Sequence, residues 1–328
     1  MRFGSGLVAA YSIGLLAQFL QHVLAAQRDG VFAILQVGAP HLYLPLLLLV
    51  PLGVLSRRPK VLAVVLIAAL LGVARFGPSM FALPAPALPG AVTINVASWN
   101  LAAGDASAAA LVERLLASDA QIVALSELTP AHSVALEASA EIRAQFPHRL
   151  LAPHSGVLGM GLLSAHSARE IQRSADPPHI LAEIELPDGR PIVTMSVHPL
   201  PARFSVAGGL LPVGYFAGDR DHDLAHLRSM LEHHLAAGRP VLVLGDLNVT
   251  DRELAYAYFV AGLTDAHRQV GLGPGSTWRP ARLAALPFGV LRIDYVLTGV
   301  PLRPIAIATE CDASTGDHCI VWATIALE

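Results

Sequence analysis

Asp246 and Asn248 stand two residues apart in the stretch VLVLGDLNVT (Val241–Thr250). In an extended chain, residues two apart leave on the same side. One is an anion that can accept a proton or bind a metal. The other is a neutral amide that can donate to a phosphate oxygen. The pair equally suits an Asx-rich turn after a strand. Other polar residues end apolar runs in the same way: Asn100, Glu127, His198, and Asp317 with His318. Asp294 lies inside the run LRIDYVLTG (Leu291–Gly299), where a carboxylate is costly unless paired. Each has an ordinary structural reading alone. Gathered at the ends of apolar strands, they describe one convergent site.

Short elements must hold these residues. Val241–Leu244 reads as a short buried strand, with Gly245 permitting a sharp exit. VTINVASWN (Val92–Asn100), QIVALSELTP (Gln121–Pro130) and PIVTMSVHPLP (Pro191–Pro201) read as strands that present Asn100, Glu127 and His198. HRLLAP, VLGMGLLS and HILAEIEL are strand-like. LRIDYVLTG and GDHCIVWATIAL (Gly316–Leu327) are the last clear strands, with RPIAIATE a candidate between them. Ser107 suits the N-cap of a helix reaching Ser118, with Leu111, Leu115 and Leu116 on its apolar face. Further helices are expected up to about Gln145, over Asp219–Ala237 and over Arg252–Ala261. Arg203–Gly218 reads as a long, partly apolar loop, suggesting a lip over a site. Many strands with intercalated helices suit an α+β sandwich of two packed sheets with helices outside.

The 328-residue chain is 54% hydrophobic and only 14% charged, against about 25% in ordinary soluble domains. The apolar excess sits at the N-terminus. Gly6–Ala26 has the length of a bilayer crossing. Val31–Leu55 is a second stretch, with Pro40, Pro45 and Pro51 expected to kink it. Val61–Ala74 is a shorter third, which spans if Arg75 snorkels and the residues after it extend the helix. A signal peptide ending near LAAQ competes for the first stretch. Arg57, Arg58 and Lys60 place the loop between the second and third stretches in the cytoplasm. The N-terminus then lies inside and the domain after the third stretch outside, with Arg28, Asp29 and Arg75 weighing weakly against. The expected organisation is a membrane anchor of about three transmembrane helices over 1–76, a Pro-rich linker over 77–90, and a catalytic domain over 91–328.

After residue 80 come 16 of the 22 basic and 24 of the 25 acidic residues, which leaves that part near −8. A domain so acidic is a poor non-specific binder of polyanions. Cys311 and Cys319 lie eight apart. They read as separate buried thiols in a cytosolic protein, or as a disulfide closing a short loop outside the membrane.

The ordered set ASWNL, IVALSEL, GLLS, SVHPLP, GDLN, RIDYVL and GDH resembles the endonuclease/exonuclease/phosphatase superfamily, with its DNase I-like fold, over about Ala91–Glu328. With membrane segments in front, the chain resembles a bacterial membrane-anchored subgroup. The resemblance implies a four-layer α/β/β/α sandwich and metal-dependent hydrolysis of a phosphate ester by a phosphodiesterase, nuclease or phosphatase. Mg²⁺ is the implied cofactor and Mn²⁺ an alternative. Glu127 resembles the principal metal ligand, Asn100 the amide that helps hold metal and phosphate, and Asp317 a supporting metal ligand. Asp246 resembles the carboxylate that handles the attacking water and Asn248 a phosphate donor. His198 resembles a phosphate-contacting histidine, His318 the histidine acting at the phosphate, and Asp294 the carboxylate that orients and charges it. Trp278 in GSTWRP is a candidate to flank the substrate, or a loop tryptophan packed on the sheet. Physics agrees with these roles. Mg²⁺ prefers one or two carboxylates with water and phosphate oxygens, and imidazolium and amide donors stabilise phosphoryl charge.

Two departures stand out. Leu101 and Ala102 follow Asn100, so a second acidic ligand that some relatives carry there is missing, and Gly316 stands where a serine usually precedes the final Asp-His. His222 and His226 have i,i+4 metal spacing but read as a solvated helix face, and Gly271–Gly275 lacks the lysine of a P-loop. The expected substrate is a nucleic acid, a phospholipid headgroup or a small phosphate ester. The expected location is the bacterial cytoplasmic (inner) membrane, multi-pass, with the catalytic domain periplasmic or otherwise extracytoplasmic. A catalytically degenerate membrane-anchored domain, acting in binding or assembly, is the competing function.

Overall fold

Alternating side chains give the central strands of this chain two apolar faces, and both are buried. The computed structural model describes residues 2–55, 58–82, 86–208 and 211–328. Along the chain come α1 (Arg2–Ala25), α2 (Val31–Val37), α3 (Ala39–Tyr43), α4 (Leu46–Leu55), α5 (Pro59–Phe76), β1 (Val92–Asn100), α6 (Ala108–Leu116), β2 (Ile122–Ser126), α7 (Pro130–Ala138) and α8 (Ala140–Gln145). Then follow β3 (His148–Ala152), β4 (Met160–Ser164), β5 (Ala168–Ala175), β6 (Pro178–Glu185), β7 (Pro191–Val197), β8 (Arg203–Ala207), β9 (Leu211–Phe216) and α9 (Gly218–Ala236). Last are β10 (Val241–Asp246), α10 (Leu254–Phe259), β11 (Thr264–Asp265), α11 (Ala266–Val270), β12 (Asp294–Thr298), β13 (Leu302–Glu310) and β14 (Ile320–Leu327). Two compact units result. One comprises Met1–Met80, Ala202–Gly218 and Arg252–Leu254, and the other the rest.

The larger unit holds two six-stranded sheets among the described residues, ordered β13-β14-β1-β2-β4-β3 and β11-β12-β10-β7-β6-β5. Ile94, Val96, Ile122 and Ala124 of the first sheet meet Ile180, Ala182, Leu242 and Leu244 of the second in the central core. The opposite faces carry helices. Trp99, Val123 and Leu125 pack with Leu111 and Leu115 of α6, Leu136 of α7 and Ile142 of α8. Val193, Met195, Val241 and Val243 pack with Leu224, Leu227 and Leu231 of α9 and with Tyr256 and Phe259 of α10. Helix, sheet, sheet and helix make the four layers of the DNase I-like α+β sandwich.

Local chemistry sets the element ends. The Ser107 hydroxyl accepts from the Ala110 N–H at 3.1 Å and caps α6, worth about 1 kcal/mol. The helix stops at Leu116, which is exposed and not on the apolar face as expected. The expected helix to Gln145 breaks at Ser139, which ends α7 and caps α8. RPIAIATE is part of β13. The strand AREIQRSA (β5) escapes pattern reading because it is a largely exposed edge with little apolar alternation. Gly245 is not an exit from its strand. It lies within β10 at φ 146°, where a Cβ would sit 2.0 Å from the Val197 carbonyl oxygen of β7. Only glycine allows that approach.

In the smaller unit, Gly6–Ala25 and Pro59–Ser79 are long and apolar enough to cross a membrane. The third stretch is therefore longer than Val61–Ala74. Val31–Val37 and Ala39–Leu55 form a pair bent by 76°, with the break at Gly38 ahead of Pro40 and with Pro51 inside α4. Arg203–Gly218, expected as a loop, contains the antiparallel hairpin β8–β9 and belongs to this unit. The Phe204 and Tyr215 rings meet edge-on across it at 4.9 Å. Arg57 of the basic cluster and residues 83–85 of the expected linker lie outside the described residues.

Candidate active site

At one end of the central core, the inward-facing rows turn from apolar to polar. In β1 the row Ile94, Val96 ends in Asn100, and in β10 the row Leu242, Leu244 ends in Asp246. His198 follows the last residue of β7, and Asp294 opens β12 directly opposite Asp246 in the register. Asn100 pairs in register with Ser126 of β2, which brings Glu127 alongside.

These residues form one bonded cluster. Asn100 Nδ2 donates to Glu127 Oε1 and to Asp246 Oδ2, each at 3.0 Å, while its Oδ1 accepts from the Ala102 N–H. His198 Nε2 lies 3.5 Å from Glu127 and 3.6 Å from Asp246, and its Nδ1 lies 3.1 Å from the Val157 carbonyl oxygen. His318 Nδ1 is 3.0 Å from Asp294 Oδ2, and its Nε2 points at Asp246 Oδ2 from 3.8 Å. Three carboxylates thus share two imidazoles, with no Arg or Lys ion pair on any of them among the described residues.

Protonation follows from this crowding. Burial pushes the Glu127 carboxyl up, against the pull of His198 and Asn100. Burial also raises Asp294, against His318. Asp246 is opposed by burial but held below its ordinary value by His198 and His318. For His318, burial opposes the charge, yet Asp294, its hydrogen bond and Asp246 hold the imidazole up at about 10. His198 is raised in the same way, its burial outweighed by Asp246 and Glu127.

Two side chains stand on left-handed backbone, Glu127 at φ 55° and Asn248 at φ 49°. Non-glycine residues adopt this region at a cost of roughly 1–2 kcal/mol. Hydrogen bonds hold both turns. The Leu128 N–H donates to the Gly159 carbonyl oxygen. The Asn248 N–H donates to Asp246 Oδ1 at 2.7 Å, its Nδ2 to the Pro199 carbonyl oxygen at 2.9 Å, and buried Arg220 donates to the Asn248 carbonyl oxygen at 3.0 Å.

The remaining candidates sit differently. Asp317 Oδ2 accepts from Trp278 Nε1 at 3.2 Å, and this half-buried indole is spent on the Asp317 loop. His222 and His226 are exposed on α9. Cys311 and Cys319 form a disulfide around the loop that carries Asp317 and His318.

Sequence reasoning missed Arg279, which is fully buried and holds that same loop. It donates to the Asp312 and Gly316 carbonyl oxygens, Thr315 Oγ1 and Cys319 Sγ. Thr277 was missed too, and its hydroxyl accepts from the Ile293 and Asp294 N–H groups. Buried Arg292 bridges Asp251 and Asp265, bracing the chain beyond Asn248. An arginine between tryptophan and proline carries no signal of burial, since its partners are backbone oxygens, a hydroxyl and a sulfur more than thirty residues away.

A cation fits this chemistry. Burial of three carboxylates without Arg or Lys leaves negative charge in excess, and Asp294 Oδ1 and Asp317 Oδ1 are buried without a hydrogen-bond partner among the described residues. Asp246, Asp294 and His318 place ligand atoms within 4.8 Å of one another. That trio differs from the expected Asn100, Glu127 and Asp317. The Asp294–His318 hydrogen bond favours reading the trio as an ion-pair chain, because a protonated imidazole has no lone pair for a metal.

The chain belongs to the Endonuclease/Exonuclease/phosphatase family, whose sequence profile matches residues 97–318. This is a family of phosphoester hydrolases whose enzymes generally use divalent metals. Solved structures share the fold. A functionally unknown conserved protein from Enterococcus faecalis has a TM-score of 0.56 and 15% identity, covering 72% of this chain and 100% of its own. TDP2 of D. rerio, complexed with a single-strand DNA product, has a TM-score of 0.52 and 18% identity, covering 71% and 98%. The 3′ phosphatase NExo from Neisseria, bound to a product DNA hairpin, has a TM-score of 0.52 and 18% identity, covering 70% and 98%. No curated protein matches the chain.

Proposed function

We propose that the protein is a membrane-anchored, Mg²⁺-dependent phosphoester hydrolase whose catalytic sandwich lies outside the cytoplasm. The observation that carries the reading is the bonded cluster of Asn100, Glu127, His198, Asp246, Asp294 and His318 at the polar end of the inter-sheet core. Glu127 would hold the metal, with Asn100 fixing its Oε1 and its Oε2 accepting no hydrogen bond among the described residues. Asp317, whose Oδ1 is buried without a hydrogen-bond partner among the described residues, would support the metal. A bound Mg²⁺ supplies Lewis-acid stabilisation of phosphoryl charge. Asp246, ionised and held by Asn100 and the Asn248 N–H, accepts the proton of the attacking water. His318, kept protonated and aimed by Asp294, donates to a phosphoryl oxygen. His198, its imidazole held above its ordinary value by Asp246 and Glu127, is the second histidine at the phosphate. One N–H of the Asn248 amide goes to Pro199, and the other is left for a phosphate oxygen.

Orientation has its own support. The basic cluster keeps the loop before α5 inside, so the α1–α2 loop and the sandwich both fall outside. Arg28 and Asp29 of that loop hydrogen-bond Gly218 and Ala217, beside the hairpin that interrupts the catalytic sequence. The loop and the hairpin therefore belong on one side of the bilayer. The disulfide suits the same oxidising side.

A panel of single-stranded and duplex DNA, RNA, phospholipids and sugar phosphates, each with Mg²⁺ and with EDTA, tests the proposal. At least one substrate should turn over with Mg²⁺ and none with EDTA. No turnover, joined to no Mg²⁺-dependent thermal stabilisation, would contradict it.

A further inference from the structure

The β8–β9 hairpin exposes more apolar surface than a two-stranded sheet can carry in water. Phe204, Val206, Val213 and Phe216 are each between 49% and 55% exposed. An isolated hairpin is marginal on its own, so this one needs support, and the support comes from the connection between α1 and α2. The Gly30 N–H donates to the Tyr215 carbonyl oxygen at 2.8 Å, and the Ala217 N–H to Asp29 Oδ1 at 2.7 Å. Arg28 donates to the Gly218 carbonyl oxygen at 3.1 Å. β9 packs against α2, and the Tyr215 hydroxyl donates to Glu253 at 2.6 Å.

That connection marks the depth of the hairpin. Gly6–Ala25 is long enough to cross a bilayer and ends three residues before Arg28. The chain then enters α2 through Val31 and Phe32, which are also exposed. The hairpin is thus bonded to the point where a membrane span reaches water. The exposed apolar side chains are carried by a hairpin that packs on α2 and is bonded to the end of the span.

We infer that the β8–β9 hairpin is a membrane-interface element, seating Phe204, Val206, Val213 and Phe216 at the headgroup–acyl boundary of the leaflet where α1 ends. The partner is the lipid surface itself. The inference rests on reading α1 and α5 as spans. Aromatic and branched apolar side chains favour that depth, and Arg203 can keep its charge among headgroups while its stem lies along the apolar layer.

Depth-dependent quenching tests this in the full-length protein, reconstituted into phosphatidylethanolamine/phosphatidylglycerol vesicles with brominated acyl chains. Phe204→Trp and Phe216→Trp are read as differences from wild type, whose tryptophans are Trp99, Trp278 and Trp322. Leu70→Trp, on the exposed face of α5, reports the span. Both hairpin tryptophans should emit blue-shifted light, quenched severalfold by bromine near the glycerol end of the chain and little by acrylamide. Red-shifted emission quenched by acrylamide would overturn the proposal. Blue-shifted emission indifferent to bromine would overturn it too, assigning the hairpin to a second copy of the chain. If Leu70→Trp itself escapes bromine, the span reading fails and takes the proposal with it. Quenched Leu70→Trp with water-exposed hairpin tryptophans refutes the hairpin alone.

Discussion

Asp294 is the residue whose cost explains its neighbour. A buried carboxylate demands a partner, and His318 supplies it at 3.0 Å. That His318 value near 10 is the most accessible residue-scale prediction. In ¹⁵N-edited NMR of the metal-free protein, the His318 ring should remain imidazolium from pH 6 to 8.5, and Asp294→Asn should bring its titration back towards the ordinary range. The folded value lies above 6.5, so this contribution to stability is complete below about pH 6.5 and is lost as pH rises through about 10. Melting temperature should fall over that window in wild type and much less in His318→Gln. For catalysis, losing a general base or a charge-stabilising imidazole removes roughly 10²–10⁴ in rate, so Asp246→Asn and His318→Gln should each lower kcat by that order while leaving the fold intact. Asp246 and His318 were legible in the sequence because each is polar beside an apolar row, and Asp294 because it is a carboxylate inside one. Arg279 was not, because four of its bonds go to a loop remote in sequence.

At the scale of elements, β10 and the Asp317–His318 loop do the positioning. Gly245→Ala would drive a Cβ into the Val197 carbonyl and force an unfavourable φ. It should cost roughly 1–3 kcal/mol or more and displace Asp246, lowering both the denaturation midpoint and kcat. The disulfide closes a short loop, for which removal costs roughly 2–3 kcal/mol. Cys311→Ser with Cys319→Ser should lower the melting temperature accordingly, and also kcat, since His318 adjoins Cys319. An unchanged rate would show that Arg279 and the other hydrogen bonds hold the loop without the disulfide. Elements with strong patterns were readable in advance: β1, β2, β7, β10, β14 and the capped α6. Others carried no periodic signal, either because they are exposed edges, like β5, or because they are two-residue pairings, like β11. The apolar Arg203–Gly218 segment misled for a related reason. Its alternation is short and interrupted, and its partner is another stretch of the same segment and not a sheet.

Across the whole molecule, two physical regimes divide the sequence: apolar helices suited to a bilayer and an acidic sandwich suited to water. Composition alone exposed that division, and the basic residues around Arg58 and Lys60 underlie the proposed orientation, with the sandwich outside. Protease added to sealed, right-side-out membranes should therefore digest the sandwich, whereas inverted membranes should protect it. What composition could not supply is the substrate. A family of phosphoester hydrolases spans many of them, and the shared fold does not choose. The measurement that bears most directly on the central claim is the initial rate of phosphate-ester hydrolysis by the full-length protein, with Mg²⁺ varied, in wild type and Glu127→Gln. Wild type should show saturable Mg²⁺ activation, and Glu127→Gln should require far more metal and reach a much lower rate. Equal rates and equal metal dependence in the two proteins would contradict the assignment of this cluster as a metal-assisted hydrolytic site.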